Sequence, residues 1–174
     1  MLMPNGWARE KADIPREGPQ SLAAPPAATE ESAGARPGGV PALIAPAELA
    51  AALASGPVPV LVDVQYNLAG PAGRELYAAA HLPGARFLDV ERDLAGPPGP
   101  RGRHPLPDLA ALAQTLRRLG IDDSSDIVVY DQGTGLGAAR AWWLLSYVGL
   151  RAVRVLDGGL AAWKRAGLPV TTIV

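Results

Sequence analysis

Cysteine is absent from this chain, and histidine occurs only twice, as His81 and His104. Without cysteine the chain can form no disulfide and no thiolate metal site, and it has no thiol nucleophile of its own. Two histidines do not predict an imidazole-rich metal centre. We therefore expect neither a metal site nor a cofactor.

Excess charge and long apolar runs are missing as well. The formal net charge is -1 and the isoelectric point is about 6.1, which gives no electrostatic reason to bind nucleic acid or an anionic membrane. Residues 1–13 carry charges where a secretory signal needs an apolar segment, and the run over 141–150 is too short to span a bilayer. These absences predict a cytoplasmic protein that partners neither nucleic acid nor membrane.

What is present is the composition of one globular domain with a tail. The 174 residues are 48% hydrophobic and 19% charged, and they include 20 Gly and 18 Pro. Residues 1–40 are rich in Pro, Ala, Gly, Glu and Arg and show no helical or strand periodicity, which predicts a disordered extension. Residues 41–174 are then long enough for a single domain with a core.

Short apolar runs alternate with helical segments from Val40 onward. Predicted strands cover residues 58–64, 85–88, 127–130 and 153–156, and predicted helices cover 45–54, 74–80, 108–119, 137–148 and 160–166. Pro46 lies in the first turn of the first helix, and Asp108 is the expected amino-terminal cap of the third. Uninterrupted β-branched and Leu runs are typical of strands buried on both faces. The pattern predicts an α/β fold with a parallel sheet covered by helices on both faces.

One glycine-rich segment joins a predicted buried strand to a helix. Its glycines allow backbone N–H groups to converge, and the following helix adds the positive end of its dipole, so the loop is a candidate anion site. Ligands of open α/β sheets bind at the carboxyl ends of strands, where this loop lies. The alternative, favoured by the local residues, is a tight turn that needs glycine for positive φ. The loop consists of Asp131, Gln132, Gly133, Thr134, Gly135, Leu136 and Gly137.

Four segments carry a resemblance to a known family. They read HLPGARFLDVERDLAGPPG (81–99), GRHPLPD (102–108), VVYDQGTGLGAARAWWLLSYVG (128–149) and VRVLDGGLAAWKRAGLPV (153–170). They resemble the amino-terminal rhodanese domain of two-domain thiosulfate or 3-mercaptopyruvate sulfurtransferases, and they follow the family's order across residues 43–172. The resemblance implies a rhodanese-like α/β domain with about five mainly parallel strands.

By this resemblance Asp131 occupies the position of the cysteine that carries a persulfide in the family's catalytic domain. A persulfide needs a thiolate, whereas a carboxylate surrounded by amide donors is a stable anion. We expect Asp131 to cap and rigidify the loop rather than to react. A strand followed by Asp-x-Gly-Thr is also similar to haloacid-dehalogenase-type phosphatases. Gly133 replaces the second Asp of their motif, however, and their motif normally opens the domain.

Three further polar residues are candidates for the substrate side of a cleft: His81, Arg103 and Arg140. The resemblance implies that His81 looks toward the catalytic loop of another domain; the alternative is a hydrogen bond to the turn at 82–84. Arg103 lies in a proline-rich, extended segment and is expected to pack between domains near a substrate anion, the alternative being a solvated linker arginine. Arg140 is predicted to pair with Asp131 rather than with a bound oxyanion.

Together these residues predict the non-catalytic amino-terminal half of a two-domain sulfurtransferase. Its partner would be a second, catalytic rhodanese domain that moves sulfur from thiosulfate or 3-mercaptopyruvate to a thiophile through a cysteine persulfide. We expect the natural product to continue beyond Val174 and the chain alone to be inactive. The alternative is a free-standing inactive module that binds a partner protein or an oxyanion, although the charge of Asp131 favours repulsion of anions.

Overall fold

The computed structural model of the chain describes residues 40–100 and 102–173. The predicted extension over 1–40 therefore lies outside the described residues except for Val40. No helix in the described ranges is both long and apolar enough to cross a membrane. Strands and helices alternate in the order β1 Leu43–Ile44, α1 Pro46–Ser55, β2 Val60–Asp63, α2 Gly73–Ala79, β3 Arg86–Phe87, α3 Leu109–Arg118, β4 Ile127–Tyr130, α4 Leu136–Tyr147, β5 Val153–Leu156 and α5 Gly159–Arg165.

The five strands form one sheet in the order β1-β5-β4-β2-β3, and all of its strand pairings are parallel. β4 is the central strand, and Val129 in it lies opposite Val62 on one side and Val155 on the other. Since parallel strands end at one edge of the sheet, the loop after β4 lies at the middle of that edge. The α/β prediction with five parallel strands is confirmed.

Alternate strand residues face two separate apolar cores. Val62 and Val129 face the core that contains the buried residues of α3 and α4. Leu61, Val128 and Tyr130 face the core that contains the buried residues of α1, α2 and α5. Because successive side chains of a strand point to opposite faces, the apolar runs of β2 and β4 bury both faces. The sheet is thus covered by helices on each side, as the sequence predicts.

β1 is the element that the sequence did not predict. It consists of two residues, Leu43 and Ile44, which pair with Val155 and Leu156 of β5. The other elements, including β2, lie within one or two residues of their predicted bounds. The predicted cap of α3 is confirmed, since Asp108 accepts a hydrogen bond from the third residue of that turn at 2.7 Å.

Candidate functional site

Asp131 follows β4 directly, and only 1% of it is exposed. Its carboxylate accepts hydrogen bonds from four backbone N–H groups, at 2.8 Å from Gly133, 3.1 Å from Gly135, 3.1 Å from Gly137 and 3.3 Å from Ala138. The Thr134 hydroxyl donates to the same carboxylate at 3.4 Å. The loop therefore forms an anion site that the protein fills with its own side chain. This is the arrangement expected of a carboxylate that caps the loop.

Glycines allow the amides to converge on this carboxylate. Gly133 and Gly135 have φ values of 126° and 78°, a region that side chains rarely adopt. A Cβ on Gly137 would overlap the carbonyl oxygen of Val64, so the first turn of α4 packs directly against the chain leaving β2. Both interpretations of the glycine-rich segment thus apply to the same loop: it is a tight turn, and its amides form an anion site.

The loop is also held by the amino terminus of α5, the helix that follows the neighbouring strand β5. The N–H of Leu160 donates to the carbonyl of Asp131 at 2.8 Å, and that of Ala161 donates to the carbonyl of Gln132 at 3.2 Å. A Cβ on Gly159 would lie 2.5 Å from the Asp131 carbonyl oxygen. The Gly-Gly turn after β5 is therefore required for the contact that fixes the backbone of the loop.

Gln132 connects the loop to the chain that follows β2. Its side-chain amide accepts from the N–H of Tyr66 at 3.1 Å and donates to the carbonyl of Tyr66 at 2.6 Å and to Asn67 at 3.3 Å. The sequence placed Gln132 in the loop but gave no signal for this contact, because its partners are about 65 residues earlier. The loop is thus held by β2 on one side and by α5 on the other.

The prediction that Arg140 pairs with Asp131 is wrong. Arg140 donates from Nε to the carbonyl of Leu94 at 2.8 Å, and from Nη2 to the carbonyls of His104 and Pro105 at 3.1 Å each. No ion pair joins Arg140 to Asp131 within the residues that the structure describes. The guanidinium has no role in the anion site because the five donors of the loop already satisfy the Asp131 carboxylate. Arg140 instead holds the proline-rich, extended segment 102–108 against α4.

The alternative for His81, a hydrogen bond to the turn at 82–84, is wrong. The ring of His81 is 1% exposed and stacks on Tyr77, with ring centres 3.9 Å apart. Its Nδ1 lies 2.7 Å from the Tyr77 carbonyl oxygen and its Nε2 lies 3.0 Å from that of Ile173. The backbone of His81 also pairs with that of Thr171. His81 therefore fixes the chain after α5, and whether it faces another domain stays a prediction.

Arg103 lies in the extended segment 102–108. With His104 and Glu91 it forms a polar group, which we call the rim. Its Nη2 is 3.6 Å from Glu91, and Nε2 of His104 is also 3.6 Å from that carboxylate. The imidazole of His104 packs edge-on to Tyr66, whose hydroxyl lies 3.4 Å from Nε2. Exposed pairs of this kind contribute little to stability, so the rim remains available for contacts with a ligand or partner. The packing of Arg103 between domains remains a prediction.

Asp63, the last residue of β2, is a buried carboxylate that is not among the site residues predicted from the sequence. Asp63 is fully buried, and its carboxylate accepts from the N–H and the side-chain amide of Gln65 at 2.9 Å each and interacts with the Tyr130 hydroxyl. Burial raises the pKa of Asp63, although the hydrogen bonds and nearby His81 oppose this shift. The only sequence signal was an acid within an apolar run. Such a residue is more often structural than catalytic, since no solvent reaches it.

A cavity of about 320 Å³ opens beside the loop. Backbone and side chains of the loop form one wall, and the turn after β5 with Asp157 forms the other. Within the described ranges, no group of three or more acidic or histidine side chains could hold a metal ion. The carboxylates of Asp131 and Asp157 make the cavity unfavourable for an anion.

The family follows from residues 45–166, which match the model of the Rhodanese-like domain family. The chain belongs to this rhodanese family. The match covers the loop, its supporting turn, all five helices and every strand except β1. The similarity of Asp131 and its flanking residues to haloacid-dehalogenase-type phosphatases therefore does not reflect the family of this chain.

Named relatives of this rhodanese domain are sulfurtransferases. It is 50% identical over 133 residues to the "Probable 3-mercaptopyruvate sulfurtransferase" of Pseudomonas aeruginosa, which covers 74% of this chain and 46% of the relative. It is 45% identical over 131 residues to the "Putative thiosulfate sulfurtransferase SseB" of Mycobacterium tuberculosis, covering 75% of this chain and 46% of the relative. Among solved structures, the 3-mercaptopyruvate sulfurtransferase from Leishmania major matches with a TM-score of 0.68 and 32% identity, covering 80% of this chain and 38% of that one.

The rhodanese domain thus spans about half the length of the curated relatives that it matches. It is related both to 3-mercaptopyruvate and to thiosulfate sulfurtransferases. Its loop has the anion-binding geometry, but a carboxylate takes the central position and no cysteine is present anywhere in the sequence.

Proposed function

We propose that this rhodanese domain is the non-catalytic amino-terminal half of a two-domain sulfurtransferase of the thiosulfate or 3-mercaptopyruvate class. The observation that carries the proposal is the carboxylate of Asp131 at the centre of the amide ring. A thiolate at this position could accept sulfur, whereas a satisfied carboxylate cannot become a persulfide. The partial coverage of both curated relatives leaves room for a further domain in proteins of their length.

In the proposed enzyme, sulfur passes from the donor to a cysteine of the second domain and then from this persulfide to a thiophile such as cyanide. This domain supplies no nucleophile, base or cofactor to that reaction. It supplies one wall of the cleft, made by the loop from Asp131 to Gly137 and by the rim around Arg103. A cytoplasmic location and the absence of nucleic-acid and membrane partners are part of the same proposal.

The test is an assay of the purified chain for thiocyanate, with cyanide as acceptor and with thiosulfate and 3-mercaptopyruvate as alternative donors. We expect no thiocyanate above that of a boiled sample, because the chain contains no thiol. The relative from Pseudomonas aeruginosa, assayed in parallel, serves as the positive control. Turnover by the unboiled chain that scales with its concentration would contradict the proposal.

A second measurement separates this proposal from a free-standing inactive module. An antibody raised against the domain can determine the mass of the gene product in its source cell. A product about twice the mass of the 18.0 kDa chain, with a cysteine in its further part, is expected. A product of 18.0 kDa would favour the free-standing module, which would then have to bind a protein or an anion without catalysis.

A further inference from the structure

Within the described residues, the large apolar side chains that are exposed on helices all lie in one of the two helical layers. α1, α2 and α5, on one face of the sheet, carry no exposed large hydrophobic side chain within the described residues. α3 and α4, on the other face, carry four, and a fifth lies just before α3. We call these five the apolar face: Leu106, Leu109, Leu136, Trp143 and Tyr147. Single exposed apolar residues need no explanation, but a group on one layer indicates a contact surface.

The spacing along α4 aligns three residues of the apolar face. Leu136, Trp143 and Tyr147 are separated by seven and four residues, so they lie along one side of the helix. The indole of Trp143 and the phenol ring of Tyr147 stack at 5.1 Å with an angle of 9° between their planes. Trp143 is 48% exposed and Tyr147 is 57% exposed. A stacked aromatic pair that presents this much area is an ordered anchor, a type common at the centre of protein interfaces.

Arg140 lies on the same side of α4 but does not make this surface charged. Its guanidinium is turned away onto the carbonyls of Leu94, His104 and Pro105. These bonds also hold against α4 the segment that leads into Leu106. At the other end of the helix, Leu109 and Val148, the residue directly after α4, line the same groove of about 260 Å³. The segment and the start of α3 therefore border α4 and extend the apolar face.

The apolar face also continues into the functional loop. Leu136 is both the sixth residue of that loop and the first residue of α4. A partner that covers the apolar face would therefore stand directly beside the loop and the rim of Arg103, His104 and Glu91. This placement suits the second domain of the proposed enzyme, because its active site would face the cleft of which this loop forms one wall.

We propose that the apolar face is the surface on which the second, cysteine-bearing rhodanese domain packs. This inference rests on the proposed function, because it takes the occupant from it. The occupant's contact surface must be largely apolar, with a slot for the Trp143–Tyr147 pair and polar groups to meet the rim. The interface so formed places the missing cysteine domain next to the loop that Asp131 fills.

The test uses the gene product as its source cell makes it, with the photo-crosslinker p-benzoylphenylalanine at position 143 or 147. Mass spectrometry after irradiation identifies the peptides joined. We expect links from both positions to a later, cysteine-bearing part of the same polypeptide. The matched control places the crosslinker at Val58, which is 65% exposed and precedes β2, outside α3, α4 and the segment before α3. It should give none of these links.

Each other result has a defined meaning. A two-domain product whose cysteine domain links to position 58, or to neither 143 nor 147, overturns the apolar face as the interface and leaves the proposed function standing. Links that join two copies of the product overturn it as well, because the occupant is then a second copy. A product without a cysteine-bearing domain overturns the proposed function and the inference together.

A second measurement does not depend on crosslinking yield. The double variant Trp143→Ser, Tyr147→Ser should lower the Tm of the complete product by several degrees more than that of the present chain, measured at a concentration where the present chain is a monomer, because both side chains are about half exposed there and become buried only against the second domain. Val58→Ser, the matched control, should leave both Tm values unchanged. An equal Tm for the complete product with and without the double substitution would overturn the inference.

Discussion

Asp131 acts as a bound anion that the chain itself provides. The four amides and one hydroxyl around its carboxylate would otherwise bind an external oxyanion, because helix amino termini and glycine-rich turns attract negative charge. Tethering the anion has two effects. It stabilises the loop, and it excludes thiosulfate or sulfate from the position by occupying the donors and by charge repulsion.

Removal of this carboxylate should expose the anion site. We expect Asp131→Ala to lower the free energy of unfolding by about 1–3 kcal/mol, because buried N–H groups lose their acceptor. Sulfate should then bind the free amides and raise the Tm of the variant more than that of the unsubstituted chain. The measurement is thermal unfolding in sodium sulfate and in sodium chloride of equal ionic strength, which corrects for charge screening. The difference between the variant and the unsubstituted chain then removes the general stabilising effect of sulfate.

The matched control for this experiment is Asp123→Ala, which removes the same charge from an exposed position. Its Tm should respond to sulfate as the unsubstituted chain does. If the unsubstituted chain gains as much stability from sulfate or thiosulfate as Asp131→Ala does, the carboxylate is not blocking the site, and an anion-binding module becomes the better account.

Asp63 should make stability depend on pH in the opposite sense to an ordinary ion-paired acid. Burial raises its pKa in the folded state above the ordinary value of about 3.9, so the folded chain holds the proton at pH values where the unfolded chain has lost it. Its contribution to stability is therefore present at low pH and is lost as pH rises through the folded pKa. The Asp63→Asn variant lacks this titration.

The free energies of unfolding of the Asp63→Asn variant and the unsubstituted chain, measured in urea between pH 4 and pH 7, test this prediction. We expect the advantage of the unsubstituted chain over Asp63→Asn to shrink as pH rises. A difference that grows with pH would mean that the hydrogen bonds from Gln65 outweigh burial. A constant difference would mean that Asp63 keeps its ordinary pKa.

At the scale of elements, the junction of β4 and α4 determines the site. Gly137 lies in the first turn of α4, where replacing glycine by alanine in a helix ordinarily adds about 1 kcal/mol of stability. Here the new methyl group would overlap the carbonyl oxygen of Val64. We expect Gly137→Ala to destabilise the domain by about 1–3 kcal/mol instead, since the helix must move away from β2. Urea unfolding monitored by circular dichroism gives the value.

Gly56→Ala provides the comparison for this reversal of sign. Gly56 ends α1 with φ of -143°, and a Cβ there would lie at an ordinary 3.7 Å from its nearest neighbour. Its substitution should change the free energy of unfolding by less than about 0.5 kcal/mol. A neutral or stabilising Gly137→Ala would show that α4 can shift without cost.

Local patterns predicted most elements because strand and helix periods are local properties. β4 and β5 match their predicted bounds, and the cap of α3 was identified from Asp108 alone. β1 was missed because two residues, Leu43 and Ile44, contain no period. It exists only through its pairing with β5, which is more than 100 residues away.

The site was predictable in its loop and not in its contacts. A buried strand followed by a glycine-rich turn and a helix predicts that Asp131 is surrounded by backbone amides. This contact could be predicted because the amide donors lie within seven residues of Asp131. Arg140 and His81 were misplaced because most of their partners are carbonyl groups 35 to 92 residues away along the chain, the exception being the Tyr77 carbonyl four residues before His81. Carbonyl acceptors are present at every residue, so the sequence has no signal for which one an arginine or histidine contacts.

At the scale of the whole molecule, the two helical layers differ in what they present outward. The layer of α1, α2 and α5 exposes charged and small residues such as Glu48, Lys164 and Arg165, whereas the layer of α3 and α4 exposes the apolar face. Both layers bury apolar cores of similar kind against the sheet. Packing within the domain therefore does not account for the difference, whereas the proposed contact with a second domain would.

The isolated chain should consequently self-associate through the apolar face. At increasing concentration we expect its mass, measured by light scattering after size-exclusion chromatography, to rise above the 18.0 kDa of one chain, because association removes Trp143 and Tyr147 from water. Trp143→Ser combined with Tyr147→Ser should keep the mass at that of one chain. Val58→Ser removes an equally exposed apolar side chain elsewhere and should associate like the unsubstituted chain. If Val58→Ser prevents association and the double variant does not, the surface that mediates association lies around Val58 rather than on the apolar face.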